Sequence, residues 1–331
     1  TFSRGAGQLA LLHFIGITMA ESYLTYTNKV LARLNEVQLT SSNFSSARGI
    51  QVQVQNAINE SIRYINQKEF QYPFNHSTKT ETLVGGTVRY SIPTTAKTVD
   101  YNTFRIVKDS DLGASGGRLY VINYNDYVNS YITQEDEIQT TTTSTTHTDS
   151  VTTITVASTT GFDSTGTLFI GNEQITYTAV GSSTTFTGCT RGANNTTAAS
   201  IASGVQVAQF ESGGVPQYVA RTPDNNFLLY PFPTKGFSVK YDFFSFPTDM
   251  SAHSDTTTIP DRFAAVIVDG ATAFVYQYRG ETAQYQLNFQ RFEQGIKNMQ
   301  TLLINRFEYV RSTFIPKVGY TSSADLSIRV N

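Results

Sequence analysis

One short segment of the chain matches a pattern found around catalytic serines. Residues Gly113–Gly117 have the G-x-S-x-G spacing in which a serine hydroxyl, here that of Ser115, can act as a nucleophile. That chemistry needs a buried strand before the serine and a helix after it. Here the polar run Lys108–Asp111 precedes the serine, and a strand-like run, Arg118–Ile122, follows it. A glycine-rich hairpin loop therefore explains the pattern better than a nucleophile does.

Two groups of acidic residues could suggest a calcium site or a pair of catalytic acids. The first group is Asp109 with Asp111, and the second is Glu135-Asp136-Glu137. Neither has the spacing of an EF-hand loop. Acids in loops are mostly hydrated, and we expect no functional role for either group.

The histidines and the cysteine form no recognisable set of metal ligands. The four histidines are scattered without an i, i+4 pair, and we expect exposed or hydrogen-bonding surface roles for them: His13, His76, His147 and His253. Cys189 is the only cysteine, which excludes an internal disulfide and a cysteine-cluster zinc site. We expect it to be a small packing residue. The sequence predicts no catalytic residue, no cofactor-binding residue and no metal ligand, and therefore a protein that is not an enzyme.

The composition is typical of a β-rich protein with few charges. Only 15% of the 331 residues are charged, against a usual share of roughly 25%. The net charge of −2 argues against a general nucleic-acid binder. The 12% of aromatic residues argues against disorder. We expect no membrane span, because the apolar run Leu9–Ile17 is shorter than the ~20 residues that a bilayer requires.

Residues 1–18 have two interpretations. Arg4, the apolar run and the following Met19–Glu21 have the order of a secretory signal peptide. Alternatively, Met19 is the true start and residues 1–18 are an overextended reading frame, which the initial Thr1 favours. Both interpretations make residues 1–18 a non-structural extension of the fold.

Two pairs of helices are predicted, one towards each end of the chain. The first pair has apolar stripes at helical spacing, with Ser45 or Ser46 as the cap of its second helix: Val30, Leu31, Leu34 and Val37, then Ile50, Val54, Ala57, Ile58, Ile62 and Ile65. In the second pair, Thr258–Asp261 predicts the start of the first helix, and Arg279-Gly280 predicts a break after it. An aromatic stripe then predicts a second helix that ends at about Arg311. Together the two pairs predict a four-helix core.

Between the helical pairs the pattern has a period of two. Thr80–Val84 and Thr87–Ile92 flank Gly85-Gly86 and predict a β-hairpin, whereas residues 123–132 fit a strand or a short helix. Residues 139–149 read as a Thr/Ser linker. Residues 150–208 read as a separate all-β module, with Gly171-Asn172 as a type II′ turn. The predicted fold class is α+β, with a four-helix core, a central mainly antiparallel β region and a small inserted β-module.

The order of these elements and several short phrases resemble a family of phage proteins. The phrases are, in chain order, Glu69–Phe74, Thr82–Gly86, Tyr90–Pro93, Gly214–Tyr218, Leu228–Pro233 and Asp255–Phe263. The family is that of the head-to-tail adaptors of short-tailed bacteriophages, also called tail tubular protein A or gatekeeper proteins. The resemblance covers residues 20–138 and 209–315, and the module of residues 150–208 departs from it.

The resemblance implies a domain organisation and a role. Residues 19–138 and 209–315 would form the adaptor domain, and residues 316–331 a C-terminal arm. The family role is a homo-oligomeric ring of twelve copies beneath the portal protein, at the head–tail junction of a virion made in the infected bacterial cytoplasm. Such a ring carries the tail nozzle or tube and extends the channel through which genomic DNA passes without sequence-specific binding. No cofactor and no membrane are implied.

A binding protein is the alternative hypothesis. A phage tail-associated or secreted adhesin would recognise a surface glycan through the module of residues 150–208. The aromatic side chains available for that purpose are Phe162, Phe169, Tyr177 and Phe186. An enzyme is a third hypothesis and depends on Ser115 alone.

Overall fold

A computed structural model describes residues 21–69, 71–211 and 213–304. The fold is α+β, with five α-helices and several mainly antiparallel sheets in these ranges, none of them closed into a barrel. Two compact units are present, a helical unit of residues 21–75 and 247–304 and a β unit of residues 76–246. The predicted extension 1–18 and the predicted arm 316–331 lie outside the described residues.

The elements have the following bounds. The helices are α1 (Tyr23–Arg33), α2 (Ile50–Lys68), α3 (Tyr124–Asp136), α4 (Ala264–Arg279) and α5 (Thr282–Leu303). The strands that precede the predicted module are β1 (His76–Thr82), β2 (Arg89–Ser91), β3 (Ala96–Ile106), β4 (Gly117–Arg118), β5 (Tyr120–Val121) and β6 (Gln139–Thr142). Those of the module are β7 (Thr153–Thr155), β8 (Gly166–Ile170), β9 (Glu173–Tyr177), β10 (Ala179–Ser182), β11 (Thr185–Thr187), β12 (Thr190–Ala193) and β13 (Gln206–Gln209). The last are β14 (Gly213–Gly214), β15 (Tyr218–Arg221), β16 (Asn226–Tyr230), β17 (Phe232–Pro233) and β18 (Ser238–Ser245).

The helical unit has one hydrophobic core to which α1, α2, α4 and α5 all contribute. Fully buried side chains from each helix are Val30, Ile58, Ile267 and Phe292. Val30 and Ile58 belong to the apolar stripes that the sequence predicts, because a face with helical spacing is buried when another helix covers it. Val37 is an exception, since α1 ends at Arg33 and this side chain is 77% exposed.

The helix starts differ from the predicted ones. Ser45 and Ser46 lie in a short 3₁₀ turn, and α2 begins after Gly49, which makes no side-chain cap. Likewise, the Thr258 hydroxyl donates to Asn75 Oδ1 at 2.9 Å instead of capping α4. The Ser46 hydroxyl bonds locally, to the carbonyl oxygen of Asn43 at 3.1 Å, whereas Thr258 takes a partner that is distant in the chain.

Helices α4 and α5 approach each other closely at two glycines. The fully buried ring of Phe292 lies over Gly270, where a Cβ would come within 2.6 Å of a ring carbon. A Cβ on Gly295 would similarly come within 2.9 Å of a Val266 methyl group. The break that Arg279-Gly280 predicts between these helices is present, and Gly280 has a left-handed φ of 75°. The predicted end of the second helix near residue 311 lies beyond the described part of α5.

Two sheets pack face to face in the β unit. Sheet A has the strand order β1-β18-β3-β4, and sheet B has the order β2-β16-β15-β5. Rings from both sheets meet in the core between them. Phe227 of sheet B lies 5.1 Å from Phe104 and 5.4 Å from Tyr241 of sheet A, between ring centroids.

The predicted β-hairpin around Gly85-Gly86 is wrong. Strand β1 pairs with β18 over seven residues in sheet A, whereas β2 pairs with β16 in sheet B. Gly86 lies against another strand, since a Cβ there would be 2.1 Å from the Ala208 Cβ. A Cβ on Gly85 would lie 3.1 Å from the Phe169 Cβ of β8, so the two glycines let the chain pass close to β8 and β13 on its way from one sheet to the other.

Sheet B is covered on both faces. Phe227 and Leu229 point into the core shared with sheet A, while Leu228 and Ala220 point into a second core. That second core also contains Tyr127 of α3, so the segment with two interpretations is a helix. Side chains of β8 and β13 complete it. The unit thus has the layer order sheet A, sheet B, then α3 together with the module strands.

The module has its own core between two sheets, which have the strand orders β12-β9-β8-β13-β6 and β10-β11-β7. The predicted hairpin of β8 and β9 is confirmed, and Gly171 has the φ of 59° that the first turn position of a type II′ turn requires. Residues 139–142 of the predicted linker form β6, which pairs with β13. The proposed boundaries of the module at residues 150 and 208 remain a prediction.

The contact between Gly270 and Phe292 predicts that the substitution Gly270→Ala destabilises the wild type but stabilises a variant in which the ring of Phe292 is removed. In the wild type, Gly270→Ala should lower the free energy of unfolding by about 1–3 kcal/mol, because the new methyl group overpacks a rigid, buried ring. In a Phe292→Leu background the same substitution should instead raise stability by up to about 1 kcal/mol, the helix preference of Ala over Gly. Urea unfolding of the four proteins checks this, and a gain in both backgrounds would contradict it.

Candidate functional site

Ser115 lies in an exposed loop and not at a junction between strand and helix. Two hydrogen bonds between Asp109 and Ala114 close the loop, with N···O distances of 2.9 and 2.8 Å. Gly113 and Gly116 both have φ of 74°, a value that glycine adopts without strain. The Ser115 hydroxyl lies 3.5 Å from the carbonyl oxygen of Gly116. This is the glycine-rich loop that the sequence predicts, and the lack of a catalytic role for Ser115 remains a prediction.

Asp109 shapes that loop. Its Oδ1 accepts hydrogen bonds from the backbone N–H groups of Asp111 and Leu112, at 3.0 and 3.2 Å. Within the described ranges, no group of three or more His, Cys, Asp or Glu side chains is arranged to hold a metal ion.

One of the histidines is a buried structural residue. His147 is 5% exposed, and its Nε2 lies 3.2 Å from both the backbone nitrogen and the backbone oxygen of Thr155. The expected surface role is therefore wrong for His147, because its ring is buried and Nε2 forms a hydrogen bond with the Thr155 backbone inside the small module. The other histidines are His76 on β1, His253 beside Phe44, and His13, which lies outside the described residues.

A buried ion pair holds the module together. The Glu173 carboxylate accepts hydrogen bonds from Arg191 Nε and Nη2 at 2.7 and 2.8 Å, and both side chains are at most 6% exposed. The backbone N–H groups of Gly192 and Ala199 donate to the same carboxylate at 2.9 and 3.2 Å. Burial alone would raise the pKa of Glu173, but these four hydrogen bonds outweigh it and hold the pKa below its ordinary value of 4.5.

The ion pair ties the edge strand of the larger module sheet to the loops beside it. Arg191 also donates to the carbonyl oxygens of Thr148 and Ala199, so one guanidinium links β12 to two loops and to β9. Cys189 packs in the adjoining core, where burial raises the pKa of its thiol. Sequence reasoning missed the pair, because residues 173 and 191 are far apart in the chain and no local pattern links them.

A second charged network fixes α3 against sheet B. Glu135 accepts from Arg89 Nε at 2.9 Å and from the Tyr127 hydroxyl at 2.7 Å. The hydrogen bond to Glu135 raises the pKa of Arg89 above its ordinary value. Glu135, the first residue of the acidic run 135–137, therefore stabilises the packing of α3 on sheet B.

A polar cleft of about 690 Å³ lies beside the C-terminal end of α3. Its lining includes the amide side chains of Gln174 and Gln209, which are 7% and 8% exposed. Gln209 donates to Asp163 Oδ2 at 3.0 Å and accepts from the backbone N–H of Asp163 at 3.1 Å. Four acids also line the cleft: Asp136, Glu137, Asp163 and Glu211. With amides and carboxylates, and with no histidine or cysteine in its lining, the cleft is suited to polar contacts.

The aromatic side chains of the module do not form an exposed platform. Tyr177 and Phe186 are buried in the module core, and Phe162 is half-buried against it. Phe169 is also buried and stacks on Phe210 at 4.2 Å between ring centroids. The feature that would favour glycan binding is thus absent from the module residues that the structure describes.

An edge of sheet B presents apolar side chains to solvent. Tyr120 is 70% exposed and Val121 is 46% exposed, and both lie on β5, the outer strand of that sheet. An uncovered edge strand can pair with another chain, which makes this edge a candidate contact surface. In the part of the chain that the structure describes, no helix has the length and apolar character needed to cross a membrane.

Comparison with known proteins identifies the class of the protein and then its family. The family model described as SU10 adaptor protein matches residues 126–312, which is more than half of the chain. The chain belongs to this family, and it is accordingly a structural adaptor protein of a bacteriophage virion. The match includes α3, the module and both C-terminal helices. A search of the curated proteins found no match.

The Glu173–Arg191 pair predicts a large effect of a small substitution. Glu173→Gln should lower the free energy of unfolding at pH 7 by about 3–5 kcal/mol, because it leaves the buried guanidinium without a counter-charge. Because the folded pKa of Glu173 lies below the unfolded one, the stabilisation is complete above about pH 4.5 and is lost as the pH falls through the folded pKa. The variant should therefore lose less stability than the wild type on acidification. Chemical unfolding between pH 7 and pH 3 measures both effects.

A partly exposed ion pair supplies the control. Glu36 pairs with Arg279, and the two side chains are 35% and 27% exposed. Glu36→Gln should lower the free energy of unfolding by less than about 1 kcal/mol, since solvent screens such a pair. Equal losses for the two Glu→Gln variants would contradict the role assigned to the buried pair.

Proposed function

We propose that the chain is a head-to-tail adaptor of the tail tubular protein A or gatekeeper kind, which forms a ring between portal and tail. The observation that carries the proposal is the membership of the SU10 adaptor protein family over residues 126–312. In the proposal the ring lies at the head–tail junction, extends the DNA channel and carries the tail nozzle or tube. The protein is made in the cytoplasm of the infected bacterium.

The surface of the β unit supports assembly with further copies. A closed ring needs two different patches on each subunit, because one patch meets a different patch of the neighbour. The exposed edge of sheet B at Tyr120 and Val121 is an apolar surface that a neighbouring chain would cover. By the resemblance to short-tailed phage adaptors, we propose twelve copies in the ring.

The proposed organisation assigns a task to each part of the chain. Residues 19–138 and 209–315 form the adaptor domain, with α1, α2, α4 and α5 as its four-helix core. Residues 139–149 are the linker to an architectural module of residues 150–208, and residues 316–331 form an arm that reaches a neighbouring subunit.

The charge of the chain suits a conduit for DNA. A strongly basic channel wall would retain DNA by releasing its counterions and would slow its passage. With a net charge of −2, the chain has no such excess of basic residues. DNA in the proposal passes through the ring without sequence-specific contacts, and the ring acts without a cofactor or an enzymatic step.

The test is association with the portal protein of the same phage. The full-length chain mixed with that portal should give a complex whose native mass contains twelve chains of 36.6 kDa, and electron microscopy should show a ring on the portal. The same chain mixed with a non-portal virion protein is the control. Persistent monomers that do not associate with the portal would contradict the proposal.

A further inference from the structure

Three positively charged side chains form a row across sheet A. Lys240 of β18 lies directly opposite Arg105 of β3, and Arg105 lies directly opposite Arg118 of β4. The residues next to them in the chain point into the core shared with sheet B: Val239, Ile106 and Leu119. Because side chains alternate along a strand, the three cations share the outer face of sheet A. We call them the basic row.

The basic row is unfavourable within the chain. Like charges directly opposite each other in a sheet destabilise it, and none of these three cations forms a salt bridge to any described residue. Arg118 donates to Asn102 Oδ1 at 3.1 Å, and Arg105 to the carbonyl oxygen of Thr103 at 3.0 Å. These neutral partners leave the positive charge available to a negatively charged surface.

An acidic rim surrounds the cleft beside α3, and it is also unfavourable within the chain. It consists of Asp136, Glu137, Asp163 and Glu211, none of which forms a salt bridge in the described ranges. Asp136 ends α3 and Glu137 is its C-cap. There they face the negative end of the helix dipole, which disfavours carboxylates. The four acids are too dispersed to form a metal site, so a broad positive surface fits them better than a single ion.

The layers of the β unit place the two surfaces on opposite sides. The basic row lies on the outer face of sheet A, whose inner face packs on sheet B. The other face of sheet B packs on α3 and the module, which carry the acidic rim. With sheet B between them, the two surfaces cannot neutralise each other within one subunit.

We propose that the acidic rim of one copy docks on the basic row of the next copy. The inference rests on the proposed ring, for which it supplies the two complementary patches that a head-to-tail contact requires. A second copy fits the basic row better than DNA does. Residues 76–246 contain fourteen acidic and ten basic residues, so the unit as a whole repels a polyanion.

The first variant reverses the charge of the basic row and preserves the fold. Combining Lys240→Glu with Arg118→Glu leaves Arg105 flanked by two opposite charges, so the melting temperature of the isolated chain should stay equal or rise. Assembly on the portal should nevertheless weaken by at least about tenfold, because the acidic rim of the neighbour would then meet like charges. Sedimentation or native mass of the full-length chain with its portal measures the loss.

The second variant neutralises the acidic rim, since two lysines then stand beside the unchanged Asp163 and Glu211, and it also suits the fold. Asp136→Lys with Glu137→Lys places cations at the C-terminal end of α3, where the helix dipole favours them. This variant alone should also weaken assembly, because the rim loses its net negative charge. The chain that carries all four substitutions should recover part of the assembly, since the two new lysines of the rim then meet the two new glutamates of the row.

Arg221→Glu with Lys235→Glu is the matched control, because it reverses two cations of the same unit outside the basic row. It should assemble like the wild type.

Single-surface variants that assemble normally, or a fourfold variant that folds but does not recover assembly, would overturn the inference. A basic-row variant that assembles but loses affinity for duplex DNA would overturn it in favour of a nucleic-acid surface. If the wild type itself fails to assemble on the portal, the proposed function fails and the inference falls with it.

Discussion

Sheet B must be buried on both of its faces, and the β unit is organised around this constraint. Strand β16 carries three consecutive buried apolar residues, Phe227, Leu228 and Leu229, which point alternately to the two faces. A strand of this kind is stable only between two covering layers. Sheet A supplies one layer, and α3 with the module strands supplies the other. The module is therefore part of the packing of the unit, because Phe169 and Ala208 lie in the core that sheet B requires.

This packing has a consequence for assembly. A central sheet that is covered on both sides keeps the outer surfaces apart, so that each can develop its own charge. In this chain the outer face of sheet A carries the basic row, with Asp242 opposite Asp100 further along the same strands, and the layer with α3 carries the acidic rim. Both charge groups are locally unfavourable, the first by cross-strand repulsion and the second by the helix dipole. Residues that oppose local stability in this way are typical of surfaces selected for contact with a partner.

Features with a local signal could be predicted from the sequence. The apolar periodicity of residues 50–65 defines α2, and Gly280 ends α4 with the left-handed φ that favours glycine. The turn at Gly171 was likewise evident, because type II′ turns have a specific residue preference. The α+β class follows from these local patterns, whereas the resemblance to phage adaptors depends on the order of the elements and on short phrases such as Leu228–Pro233.

Features that depend on distant pairing could not be predicted. The Gly85-Gly86 pair locally favours a hairpin turn, but β1 gains a seven-residue pairing with β18, which lies far away in the chain. The Glu173–Arg191 pair and the basic row also join residues from separate strands, and only the sheet register brings them together. The burial of His147 is of the same kind, since it depends on the fold of the module and not on the neighbours of His147 in sequence.

The arrangement of neighbouring copies in the virion tests the account most directly. A cryo-electron microscopy reconstruction of the phage neck would show which faces of adjacent β units meet. The account predicts that the end of α3 in each copy lies against the outer face of sheet A in the next copy, around a closed ring. A ring in which that face of sheet A is turned towards the channel or the solvent would contradict it.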